Sequence, residues 1–139
     1  HVVCRRQRQM CIRDRLHRDL LMKSVLIRMS KSPLNGLISG EQLETAMVAA
    51  TFEQEVSILF IGDGVFNLLP AKKPKEAPGF NIEKMLLALP TFDVNDLFIC
   101  ERSLVERQIG ASNLPTNSKV ITFEEQRRLI KTTDVVLSA

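Results

Sequence analysis

VSILFIGDGVFNLLP, residues 56–70, decides how the rest of the chain is read. Val56, Ile58, Leu59, Phe60 and Ile61 form an apolar run interrupted only by Ser57, the pattern of a strand covered on both faces. Such strands belong to parallel sheets. Gly62 and Gly64 bracket Asp63 and free the backbone to turn at the strand's carboxyl end, where Asp63 can cap a short apolar helix starting at Gly64 or Val65. The simpler reading of Gly-Asp-Gly is a tight strand-to-helix turn, and the sharper one is a site, because ligands of open α/β sheets bind beside these carboxyl ends.

Working outward, KSVLIRM (23–29) reads as a strand and SKSPLNGLISG (30–40) as a loop. Residues 41–52 read as a helix with Leu43, Met47 and Ala50 on one face and Ser39 or Gly40 at its start. PAKKPKEAPGFN (70–81) reads as an exposed loop. Residues 82–89 form a helix ended by Pro90, DLFIC (96–100) is a third strand, and 103–109 make a turn or two of helix stopped by Gly110. Residues 119–121 are a fourth strand. Thr122 and Glu125 form a T-x-x-E capping box that starts a helix through Lys131, and DVVL (134–137) is a fifth strand. This alternation predicts an α/β fold: a mostly parallel five-stranded sheet with helices on both faces.

A chain of 139 residues with its formal charge of +3 looks weakly basic, but the charge is concentrated at the start. Arg5, Arg6, Arg8, Arg13, Arg15 and Arg18 face only Asp14 and Asp19, so the body from Met22 is slightly acidic and body-wide phosphate binding is not expected. Residues 1–21 have no sustained amphipathic period. QMCIRDR within them resembles translated sequencing-adaptor sequence, so 1–21 read as a non-native or disordered leader and 22–139 as a single domain. His1, Cys4, Cys11 and His17 match no metal-site spacing. No apolar stretch is long enough for a membrane span, the leader lacks a secretory core, and a lone body thiol suits a reducing cytoplasm.

The body holds few catalytic groups. Its lack of histidine excludes Ser-His-Asp and Cys-His arrangements, it has no P-loop, and Gly62 to Gly64 is too short for a dinucleotide fingerprint. Carboxylate pairs such as Glu53 with Glu55 and Glu124 with Glu125 suit caps and solvated turns. Cys100 is the exception, at the carboxyl end of a strand and just before a helix, where the helix dipole, Arg102 and Arg107 favour an anionic sulfur and Glu101 opposes it. An apolar-flanked cysteine is also an ordinary small core residue.

FIGDGVFNLLP, LFIC followed by ERSLVER, and the closing DVVL together resemble the TusC/DsrF subunits of the DsrE/DsrF-like sulfur-relay family, over residues 22–139. The resemblance implies a flavodoxin-like fold and assembly with TusB-like and TusD-like sister subunits into a dimer of heterotrimers. It implies a cytoplasmic relay passing persulfide sulfur from TusA through this complex to TusE, for 2-thiolation of a tRNA wobble uridine, with no cofactor, membrane or direct nucleic-acid contact. In that family the main persulfide carrier is a cysteine of the TusD-like subunit. Cys100 at the matching strand end is then an accessory sulfur acceptor or a relic, and the subunit is not expected to catalyse alone. Asp63, Gly64, Phe66 and Leu69 of the DGVFNLLP motif take a structural and assembly role, with Val65 and Leu68 facing the core and Phe66 and Leu69 facing partners. Three alternatives stay open: a DsrEFH-type subunit of dissimilatory sulfur oxidation, a self-sufficient thiol acceptor using Cys100, and a small-ligand module at the sheet's switch point.

Overall fold

The computed structural model describes residues 22–70, 76–77 and 80–139; the leader and most of the 70–81 loop lie outside them. In chain order the elements are β1 (Ser24–Met29), α1 (Gly36–Thr51), β2 (Glu55–Phe60), β3 (Glu76–Ala77), β4 (Phe80–Asn81), α2 (Ile82–Ala88), β5 (Asp96–Cys100), α3 (Glu101–Glu106), β6 (Ser118–Ile121), α4 (Phe123–Thr132) and β7 (Val135–Ser138). Short 3-10 helices at Pro33–Asn35, Gly62–Leu68, Leu89–Phe92 and Ala111–Asn113 fill the connections.

Five strands pair in parallel in the order β6-β5-β2-β1-β7, which is the sheet expected from the alternation of apolar runs and helices. Ile27, Ile58 and Leu97 stand in register across the three central strands. With Val25, Met29, Val56, Phe60 and Ile99 they face Leu43 and Ala46 of α1, Ile82 of α2 and Leu104 of α3. The alternate residues Leu26 and Leu59 point the other way and pack with Ile121 against Leu129 and Ile130 of α4. Three crossovers therefore lie on one face and one on the other. Both faces of β2 are covered, which explains why its sequence is almost continuously apolar.

The boundaries correct several expectations. α1 begins at Gly36, not at residue 41, because Ser39 and Gly40 are packing positions inside it and not loop residues: a Cβ on Gly40 would run into the Phe80 ring. Phe80 lies in β4, which pairs antiparallel with β3, inside the segment read as a loop. Pro90 does not end the helical path at once, since its missing N–H is harmless in the first turn of the 3-10 segment Leu89–Phe92. α3 begins directly at Glu101, and the residue that stops it is Gln108, not Gly110. Gln108 takes the left-handed conformation (φ 53°), and the Ile109 and Gln108 amides donate to the Leu104 and Val105 carbonyls at 3.0 and 3.2 Å, a Schellman stop. The T-x-x-E box is present, with the Glu125 amide donating to Thr122 Oγ1 at 3.2 Å.

One edge of the sheet carries a titratable clasp. Asp134 Oδ2 accepts the Ser24 N–H at 2.9 Å and the Ser24 hydroxyl at 3.1 Å, while the Asp134 N–H donates to Ser24 Oγ at 2.9 Å, joining the starts of β1 and β7. The backbone bond first and the hydroxyl bond second hold the Asp134 carboxyl below its ordinary 3.8. Because the folded value is depressed, this contribution is full above 3.8 and is lost as the pH falls through the lowered folded value. Asp134→Ala is expected to be less stable than the parent near neutral pH, with the difference narrowing in acid below 3.8. Denaturant unfolding of both proteins across pH checks it, and a pH-independent difference would contradict it.

Candidate functional site

At the carboxyl end of β2 the chain turns straight into the 3-10 helix Gly62–Leu68. Gly62 sits at φ +53°, a conformation that strains a residue with a Cβ, and its N–H donates to Ser103 Oγ of α3 at 2.9 Å. Gly64 approaches the end of β1 so closely that a Cβ there would run into the Met29 carbonyl oxygen. Asn67 is buried and clamps the turn from inside, its Nδ2 donating to the Lys31 carbonyl at 2.8 Å and the Gly64 carbonyl at 2.9 Å. Val65 and Leu68 lie in the core, whereas Phe66 and Leu69 are half-buried.

Asp63 does not cap this helix. Ile61 holds the cap position without a side-chain bond, and Asp63 turns outward to Arg107, accepting from its Nε at 3.1 Å and one Nη at 3.0 Å. Arg107 also donates to the Ser103 carbonyl at 3.4 Å and lies 3.5 Å from Glu106. With the Asp63 side chain 61% exposed, the pair orients the turn against α3 and contributes no more than about 1 kcal/mol. The DGVFNLLP motif is thus a turn fixed at four points: by Met29, Lys31, Ser103 and Arg107.

Cys100 ends β5 and occupies the cap position of α3, adding no side-chain bond there. It stands opposite Ile121 of β6 in register and is 5% exposed. Neither arginine that the sequence put near it is committed to it: Arg107 is paired with Asp63, and the Arg102 guanidinium lies over the Phe123 ring at 4.6 Å. Glu101 is exposed. The thiol is therefore a covered neighbour of the pinned turn, with no general base aimed at it among the described residues. Among those residues no group of His, Cys, Asp or Glu could hold a metal ion, and no helix is long and apolar enough to cross a membrane. The leader's His and Cys residues lie outside them.

Sequence reasoning missed Ser103 and Asn67. Ser103 carried one weak signal, its place in the first turn after the Cys100 strand end. Asn67 carried another, a polar residue inside an otherwise apolar VFNLL.

Comparison with known proteins agrees with this architecture. The model of the DsrE/DsrF-like family matches residues 23–139. A TusC homolog of Pseudomonas aeruginosa is 32% identical over 85% of this chain and 99% of its own length, and TusC of Buchnera aphidicola is 28% identical over 84% and 99%. The crystal structure of the ychN protein from E. coli superposes with a TM-score of 0.73, covering 85% of this chain and all of that one, and at 23% identity it bears on the fold alone. The chain belongs to the DsrE/DsrF-like family.

Proposed function

We propose that the chain is a TusC-type subunit of a cytoplasmic sulfur-relay complex that delivers persulfide sulfur for 2-thiolation of the tRNA wobble uridine. The supporting observation is the family match over residues 23–139, together with TusC relatives aligned over nearly their whole length. Its partners are TusB-like and TusD-like sister subunits, with TusA and TusE acting through the complex. The burial of Cys100 favours one of the two roles open to it: the thiol fills the core at the strand end, and the subunit serves by shaping the complex while a sister subunit carries the sulfur. DGVFNLLP is the assembly element, because its turn is rigidly held and Phe66 and Leu69 keep apolar surface outside the core.

The test is tRNA 2-thiouridine content in cells whose complex is otherwise intact. Cys100→Ser is expected to leave thiolation unchanged with normal assembly. A large loss of thiolation with normal assembly would make Cys100 a sulfur carrier. Phe66→Asp is expected to abolish co-purification with the sister subunits while the isolated chain stays folded by circular dichroism, and an intact complex would remove this turn from the interface.

A further inference from the structure

β7 closes one end of the sheet, and its outer edge is unpaired among the described residues. Val135, Val136 and Leu137 are 39, 36 and 40% exposed although all three are apolar, and VVLS contains no proline or charge of the kind that discourages an added strand. Val135 and Leu137 stand in register with Val25 and Ile27, on the face that α1 covers over β1 and β2. Between α1 and β7 a cleft of about 310 Å³ remains open.

The cleft has an apolar side and an acceptor side. Ile27, Ile38 and Leu137 supply the first; Glu41, Gln42 and Thr45, all on α1, supply the second. Gln42 is buried, spends its Nε2 on the Arg28 carbonyl at 2.9 Å, and leaves its Oε1 without a donor. The Thr45 hydroxyl donates to the Glu41 carbonyl at 2.8 Å, so only its lone pairs remain. The Glu41 side chain is exposed and makes no ion pair among the described residues. The α1 wall therefore offers acceptors and negative charge but no free side-chain donor, and the rest of the lining adds only the Ser138 hydroxyl and Ala139. A guanidinium on an aliphatic stem has the opposite inventory, five N–H donors and no acceptor, with methylenes for the apolar side.

We infer that the β7 edge and this cleft together receive an extended segment of a partner protein, which adds to β7 as a strand and places an arginine side chain in the cleft. Backbone pairing along β7 supplies affinity, and the arginine supplies selectivity through Glu41 and Gln42. The cleft shares no lining residue with the Phe66 and Leu69 turn, and the inference does not depend on the relay reading.

The test uses the full chain and three synthetic peptides, acetyl-Thr-Val-Arg-Val-Thr-amide and its versions with Glu or Ala in place of Arg, with binding followed by calorimetry and by amide hydrogen exchange. The Arg peptide is expected to bind at least about tenfold more tightly than the Glu peptide and to slow exchange at residues 135–138. Glu41→Lys, at an exposed position, should remove that preference without changing thermal stability, and Leu137→Asp should weaken all three peptides. Equal binding of the three, no binding, or protection away from β7 would overturn the inference. So would protection of 135–138 that grows with protein concentration in the absence of peptide, which would make a second copy the occupant. The assay needs no sister subunit and no sulfur chemistry, so its failure leaves the relay reading standing.

Discussion

Gly64→Ala is expected to destabilise the folded chain by about 3 kcal/mol or more, because the added methyl group would meet main chain and not a side chain that can swing away. Besides the Met29 carbonyl oxygen, the Met29 carbonyl carbon and the Ser30 nitrogen lie 2.6 and 3.2 Å from where the Cβ would stand. That carbonyl cannot retreat cheaply. It accepts the Ile61 N–H at 3.0 Å, and the Gly64 N–H itself donates to the Ile61 carbonyl at 2.9 Å, so moving either strand end breaks a bond that fixes the turn. Gly110→Ala is the control: only Ser112 Oγ lies nearby, at 3.8 Å, and φ is −76°, so the change should be neutral or slightly stabilising. Urea unfolding of both variants measures the contrast. A Gly64→Ala loss below about 1 kcal/mol would mean that the β1 end and the turn separate more easily than their bonding indicates.

The sheet was legible because its causes are local. DLFIC matches β5 residue for residue, and the apolar run before Gly62 is β2, since a strand buried on both faces must be apolar at successive positions. The α4 cap was legible for the same reason, as Thr122 and Glu125 lie within one turn. What the sequence hid depends on partners far along the chain. Asp63 reads as a cap until Arg107, 44 residues away, draws it outward. Gly40 reads as a loop residue until Phe80 is seen lying against it, and only then does a glycine inside α1 make sense as room for a ring. Gly110 is the residue type that usually stops a helix, yet Gln108 takes the left-handed position, placing Ile109 where it can pack with the core. At the candidate site the sequence picks out the DGVFNLLP motif and Cys100 as candidates, but not the direction their side chains take. Whether Cys100 is exposed or covered turns on strand phase and on what packs over that end, and local composition fixes neither.

The second large effect is expected at Phe60, where truncation to alanine should cost about 3–5 kcal/mol, a substantial part of a typical domain's stability of about 5–15 kcal/mol. Phe60 is fully buried, stands in register between Met29 of β1 and Ile99 of β5, and shares its cluster with Leu43, Val65 and Leu104. It therefore ties three layers together: the central strands, the α1 face and the turn that begins two residues later. The loss should lie near the upper end of the range, because the walls of the cavity are held apart. β1 and β5 are fixed by the ladder on either side, and Val65 is fixed by the Gly64 contact and the Asn67 clamp, so little of the space can close. A fall in melting temperature of about 10–20 °C is the expected readout. Phe60→Leu should lose less, since it keeps most of the apolar volume. The comparison also separates the two kinds of support beneath the turn. If Phe60→Ala, studied below its melting point, still co-purifies with sister subunits while Phe66→Asp does not, the turn's geometry comes from its own polar pins, and the core beneath contributes stability without setting the shape presented to a partner.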